Sequence, residues 1–538
     1  PHAACAAMGW VPREILERPV VLRSGTGNAS DEVTTKSDEA RRFYLQGLNY
    51  LHGYVWIEAA RSFNQALRLD PELAMAHWGL SRVYSGLDDH EAAVEAAKRA
   101  KELAAKASER EQRRIALRLQ QLDSIADLAN VAAFAAYRQG LDRALARDID
   151  DIELWLLRGN AEEPTAAGRG QRGGAGSTAF YLEALRRAPD NAAAHHYLIH
   201  SYETINQIDS ALVHGEAYAG LSPAIPHAHH MWAHDLRRVG RIDEAIAAFK
   251  RTDELERAYY AAEGISPEMD WHHVHNLDLL AMSHQHKGQM KEAETLLRQA
   301  TALRSVTQYH EFNQKALAVF LLSRNRLRDA LAAAGDLQKG NYAPTRVIGY
   351  SLAGHVQLRM GNKSAAREML AQAERETAGV PELVGGISIN RTAVMPYVDM
   401  LRGEVLLREG DAKGRDLLKQ VQAQLRALPG PDAWSQAMFR IEDIARVARA
   451  VGDWELAEHT AKQMMAHDAA YAGSHYATAL VAKERGDANA VADEVASARR
   501  YWRDADADLP ELAQLRKLEQ PGKRQAAAGA NRVSTGQR

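Results

Sequence analysis

The sequence predicts an all-α fold, an array of helical hairpins stacked into a solenoid. Three observations predict it. The chain has 538 residues, beyond the roughly 250–300 at which a single core stops growing. Small and aromatic residues recur at a period of about 34 residues, the mark of stacked two-helix units. Only 16 prolines interrupt it.

The clearest unit is 39–72, EARRFYLQGLNYLHGYVWIEAARSFNQALRLDPE. Phe43, Gly47, Tyr50, Ala59, Phe63, Ala66 and Pro71 stand where a helical hairpin needs packing residues. Small side chains let the two helices approach, and the proline ends the second. Taken together, these positions resemble the tetratricopeptide repeat. The same frame finds copies at 74–107 (Leu80, Tyr84, Ala93, Ala100), 192–225 (Leu198, Tyr202, Ala211, Pro223), 226–259 (Gly240, Ala245, Phe249) and 274–307 (Leu280, Gly288, Ala293, Ala300). Degenerate copies follow near 311–344, 347–380, 396–429, 438–471 and 472–505, while 108–150 is helical but off the pattern. The resemblance implies a right-handed solenoid. The expected organisation is an extended arm over 1–38, repeats over 39–150, histidine-rich repeats over 151–310, degenerate repeats over 311–517 and a polar, disordered tail over 518–538. The segment PVVLRSG in the arm reads as β-type.

Bulk chemistry excludes some functions. A formal net charge of −3 argues against nucleic acid, whose phosphates select strongly basic domains. No apolar run approaches the ~20 residues of a membrane span. The single cysteine, Cys5, excludes an intramolecular disulfide.

Thirteen of the 22 histidines lie between His195 and His286. His196/His200 and His230/His234 are i,i+4 pairs, and His227 precedes His230 by three. Residues so spaced share a helix face about 5–6 Å apart at Cβ, close enough for two imidazoles to bind one metal ion at ~2 Å. Neighbouring helix axes lie roughly 8–10 Å apart, so ligands from adjacent repeats are within reach. The tetratricopeptide resemblance further implies that first helices line a concave groove. The groove places hold His196, His200, Glu203, His227, His230, His234, Arg237, Arg238, His275 and Asp278. The expected metal ligands are His196, His200, His227, His230, His234 and His275, holding a transition metal such as Cu, Fe or Zn. Asp278 and Glu203 are the expected co-ligands or general bases, and Arg237 and Arg238 the expected clamp for an anionic substrate. An open coordination position would support metal-dependent hydrolysis or oxidation. His195, His229, His272 and His273 fall off the groove places and read as structural, as does His214. The other reading is a metal-free scaffold that grips a peptide or protein partner in the same groove.

Segments HHYLIHSYE, PHAHHMWAH and HNLDLLA also resemble motifs of exported bacterial tetratricopeptide proteins with histidine-rich helices. That resemblance, with an N-terminus at Pro1 rather than methionine, gives a periplasmic or extracellular expectation. It implies no particular reaction.

One insertion breaks the repeat pattern. The loop 159–176 is rich in glycine and carries Glu162, Glu163, Arg169 and Arg172. Glycine amides and arginines suit an anion, so the loop reads either as a lid or anion clamp over the groove or as a plain surface loop. No GK[ST] follows it, and HExxH, GxSxG and CxxCH are absent from the chain.

Overall fold

Phe63 sets the spacing of the first repeats. Its ring is wedged between Gly47 and Gly79, where an added Cβ would stand 2.6 and 2.4 Å from ring carbons. Glycine at both positions lets the flanking helices close onto the ring.

The computed structural model describes residues 11–383, 389–428 and 431–519. Cys5 and the tail from 520 onward lie outside the described residues. The arm contains one helical turn, α1 (Arg13–Leu16), which the sequence did not suggest. Hairpins follow in order: α2 (Asp38–His52) with α3 (Trp56–Leu69), α4 (Ala74–Gly86) with α5 (His90–Leu103), and α6 (Glu109–Ala126) with α7 (Val131–Leu145). Next come α8 (Ile152–Asn160) with α9 (Ala175–Arg187), α10 (Ala192–Thr204) with α11 (Ile208–Leu221), and α12 (Pro226–Arg238) with α13 (Ile242–Glu263). Then stand α14 (Trp271–His286), α15 (Met290–Ala302), α16 (Gln308–Asn313), α17 (Lys315–Ser323) and α18 (Leu327–Leu337). The last repeats are α19 (Ala343–Arg359) with α20 (Lys363–Glu376), α21 (Arg391–Arg408) with α22 (Lys413–Ala427), α23 (Pro431–Val451) with α24 (Trp454–His467), and α25 (Ala472–Arg485) with α26 (Ala488–Tyr501). A short α27 (Pro510–Leu518) closes the array. No strand occurs among the described residues, and no helix of theirs is long and apolar enough to cross a membrane. The chain is an all-α helical-hairpin solenoid, an architecture whose extended surfaces suit peptide and protein partners.

Local chemistry explains the register. Ser37 and Asn191 cap α2 and α10 by accepting the amides of Ala40 and Ala194 at 3.1 and 2.8 Å. The turn inside most hairpins places one residue in the left-handed region: Asp88, Asn206, Gly240, Gly288 and Asn325 take φ of 55–80°. These are glycine or short polar residues, which tolerate that conformation. Tyr54 is the exception, with φ 57° on a bulky side chain.

The array closes on itself. The arm runs extended without forming a strand. Gln46 accepts the amide of Arg23 at 2.7 Å and donates to the carbonyl of Val21 at 3.1 Å, while the amide of Ala224 donates to the carbonyl of Gly25 at 2.8 Å. Buried Arg114 pins the arm through Asp31 and also binds Asp151. Trp271 Nε1 donates to the carbonyl of Tyr54 at 3.3 Å. From the other end, Asp468 lies 3.0 Å from His286 Nε2, and Glu511 pairs with Arg324 at 2.7 Å. The expected open groove is therefore filled where the histidines stand: the arm, the first hairpin and α23 cover α10, α12 and α14.

Candidate metal centre

Helices α10, α12 and α14 lie side by side, and their histidines converge as the spacing requires. Two groups form. His196, His200 and His227 bring one nitrogen each within 4.8 Å of one another, and so do His230, His234 and His275. All six expected ligands belong to one group or the other, and none is more than 6% exposed.

Hydrogen bonds fix which nitrogen faces inward. His196 Nδ1 lies 2.7 Å from the carbonyl oxygen of His52. A carbonyl only accepts, so Nδ1 carries the hydrogen and Nε2 presents a lone pair. His200 Nε2 and His227 Nε2 lie 3.1 and 3.0 Å from that lone pair. In the second group, the Asn276 amide nitrogen donates to the Phe249 carbonyl at 3.1 Å, which aims its oxygen at His230 Nδ1, 2.9 Å away. His230 Nε2 is therefore also a lone pair, with His234 Nε2 at 2.9 Å. Two ~2.0 Å bonds at the tetrahedral angle separate donors by ~3.3 Å, close to these spacings.

The surroundings are aromatic. Tyr54 packs on His196 and His227 with ring centroids 4.6 and 5.1 Å apart, and Tyr218 stacks on His196 at 4.8 Å. Phe249 meets His230 edge-on at 5.3 Å. Burial, reinforced by neighbouring imidazoles, pushes His196, His227 and His230 well below the usual histidine range. They are neutral, which is the ligating form.

His272 joins neither group but packs beside the first. It was placed off the groove because the repeat frame starts at 274, yet α14 begins at Trp271. His272 Nε2 lies 3.0 Å from His227 Nδ1, and its own Nδ1 meets Glu256 at 2.5 Å. Its spacing of three from His275 was the available signal. Glu256 also receives His273 Nδ1 at 2.9 Å. Burial raises the Glu256 carboxyl, but the two imidazoles more than offset this and hold it at about 2. His195 and His214 behave as expected, contacting each other at 2.8 Å away from both groups.

The remaining expected residues take varied places. Glu203 lies 3.6 Å from His234 Nδ1 and beside Asp235, whose carboxyl burial and Glu203 together push well above the usual range. Asp278 is buried one turn after His275 and belongs to neither histidine group. Arg237 is 1% exposed, donates to Ser435 and lies over the Trp434 ring. Arg238 covers the same ring and donates to Asn206 at 2.8 Å. Both brace α12 against α23, because α23 fills the space the groove would have left. In the loop, the Glu163 carboxylate accepts the Gly170 amide, so this segment is packed into the fold. Arg172 is exposed, and Arg169 reaches back toward the first repeats. Glu162 pairs with Arg158.

A cavity of about 580 Å³ adjoins the first group. The arm at Val21 and Leu22, the rings of Tyr50 and Tyr259, and His227 and His272 bound it.

Residues 76–106, which make up α4 and α5, match the family model described as tetratricopeptide repeat. No curated protein sequence matches the chain. Among solved structures it is similar to a tetratricopeptide repeat protein from Parabacteroides merdae, at 12% identity over 53% of this chain and 98% of that one, with TM-score 0.35. It is also similar to YrrB, a TPR protein with an unusual peptide-binding site, at 16% identity over 36% and 91%, TM-score 0.25. Yeast Tom70 aligns at 13% identity over 93% and 98%, TM-score 0.33.

Proposed function

We propose that this tetratricopeptide-type solenoid is a metalloprotein, with a transition-metal ion in each histidine group. One observation carries the reading: His196 Nε2 has a single lone pair and two nitrogen neighbours, at 3.0 and 3.1 Å. One lone pair accepts one linear hydrogen bond.

The hydrogen count points the same way. His196 spends its hydrogen on the His52 carbonyl, and His272 spends its Nδ1 hydrogen on Glu256. Neutral His227 then has one hydrogen for two contacts, His196 on one side and His272 on the other. The row is short by one cation. A metal ion among the three Nε2 atoms closes it with every ring neutral: His227 Nδ1 donates to His272, and His272 to Glu256. Outer partners of this kind fix the tautomer of ligating histidines and raise their basicity.

Nitrogen donors with no carboxylate in either group suit Zn or Cu better than non-haem Fe. Three protein donors leave a tetrahedral ion one open position, the arrangement of catalytic sites, and the cavity beside His227 gives a substrate room to approach. Metal-dependent hydrolysis or oxidation fits that arrangement. Glu203 orients His234 and is not itself a ligand. Peptide or protein capture by the outer surfaces of the solenoid is compatible with this reading, but the six imidazoles are buried from such a partner.

The test is equilibrium dialysis of the chelator-stripped chain against Zn(II), Cu(II) and Co(II). Saturable uptake, with the intense visible bands of tetrahedral nitrogen-ligated Co(II), supports the reading. No saturable uptake of any of the three refutes it.

A further inference from the structure

Arg118 is a buried charge without a counter-ion. It is 5% exposed, and its guanidinium donates to Ser81 Oγ at 2.9 Å, to the Ser81 carbonyl at 2.8 Å, to Gln121 at 2.6 Å and to Ser85 Oγ. Every one of these acceptors is neutral. Buried charges are ordinarily paired, because desolvating an ion without a partner is costly. Burial, with Arg82 and Arg169 nearby, brings Arg118 down to about 9.

The same three arginines line a cavity of about 150 Å³. The carboxylate partner of Arg82 is shared, since Glu153 lies 3.0 Å from it and 2.8 Å from His52. Arg169 lies 3.4 Å from Asp88, an exposed residue on the rim, and otherwise donates to the carbonyls of Ser85 and Gly86. The cavity therefore has a surplus of positive charge at low dielectric. Its other wall is apolar: Leu51, Tyr54, Trp56, Leu157 and Tyr197. An apolar cavity of roughly 150 Å³ takes a molecule the size of benzene.

We propose that this cavity binds a small carboxylate with an apolar, ring-sized body, its carboxylate toward Arg82, Arg118 and Arg169 and its body against Trp56 and Leu157. The charge supplies what Arg118 lacks, and the walls remove the apolar body from water. The glycine–arginine loop closes one side of the cavity through Gly168 and Arg169. The cavity stands beside the first histidine group, with the Tyr54 ring lining it and packing on His196 and His227. Nothing in this inference needs a bound metal.

Isothermal titration of the full chain, in chelator throughout, tests it with three probes: benzoate, its neutral analogue benzyl alcohol, and inorganic phosphate. Benzoate is expected to bind one to one, at least tenfold more tightly than benzyl alcohol, with no saturable phosphate binding. Arg118→Gln and Arg169→Gln are each expected to weaken benzoate at least tenfold. Should Arg118→Gln fail to fold, Arg169→Gln on the loop decides. Equal affinity for benzoate and benzyl alcohol, phosphate binding as tight as benzoate, or undiminished binding by Arg169→Gln overturns the proposal. Because chelator is present, a chain that binds no metal leaves these outcomes unchanged.

Discussion

His196 donates its Nδ1 hydrogen to the carbonyl oxygen of His52, 2.7 Å away and 144 residues earlier in the chain. That bond decides which nitrogen of His196 faces His200 and His227. The first hairpin thus orients an imidazole carried by a helix in a distant repeat. His230 is prepared similarly by Asn276.

Asn276→Leu removes the oxygen that holds the His230 hydrogen while keeping the volume. Loss of such an outer partner typically weakens metal binding 10–100-fold. Competition with a chromogenic chelator is expected to show that loss, with Asn276→Asp largely restoring affinity. Equal affinity in Asn276→Leu would show that the tautomer is not controlled from this side.

The Glu203–Asp235 pair makes stability fall as pH rises. Burial and Glu203 raise the Asp235 carboxyl in the folded chain, so the folded state holds a proton that the unfolded state releases above about 4. The contribution is complete below that value and is lost as pH climbs toward the folded one. Asp235→Asn keeps the shape without the charge. It is expected to raise the melting temperature at pH 8 and to flatten the loss between pH 5 and 8. A variant whose profile parallels the parent would contradict the raised Asp235 carboxyl.

The metal-free histidines act in the opposite direction. His196, His227 and His230 are depressed below the ordinary value of 6.5, so the unfolded chain takes up protons first as pH falls. Stability from the neutral rings is present above about 6.5 and is lost below it, at up to about 1.4 kcal/mol per pH unit for each ring. The chelator-stripped protein is expected to lose melting temperature from pH 7 to 5 more steeply than the metal-loaded one. Parallel curves would contradict this.

The two histidine clusters were legible because the i,i+4 pairs His196/His200 and His230/His234 each lie on one face whatever the tertiary fold. His227 and His275 joined them once adjacent repeats were recognised. His272 was missed through a helix start displaced by three residues. The His52 carbonyl, Asn276 and Glu256 carry no local signature, because a backbone oxygen or a lone amide looks the same in any helix. Arg237 and Arg238 do point inward, as their positions suggest, but sequence spacing could not show that α23 returns to occupy that space.

Phe63 gives a purely structural test. Gly79→Ala would place a methyl 2.4 Å from its ring, and overpacking of this kind costs about 1–3 kcal/mol. Urea unfolding is expected to show that loss with metal uptake per folded chain unchanged. A neutral substitution would mean that the first hairpins are looser than this packing requires.

Elemental analysis of the metal-reconstituted full chain tests the central claim most directly. The expected result is two ions per chain, one lost in His227→Ala, one lost in His234→Ala, and none retained when both are changed. A chain that retains no metal, or a count that neither substitution alters, would contradict it.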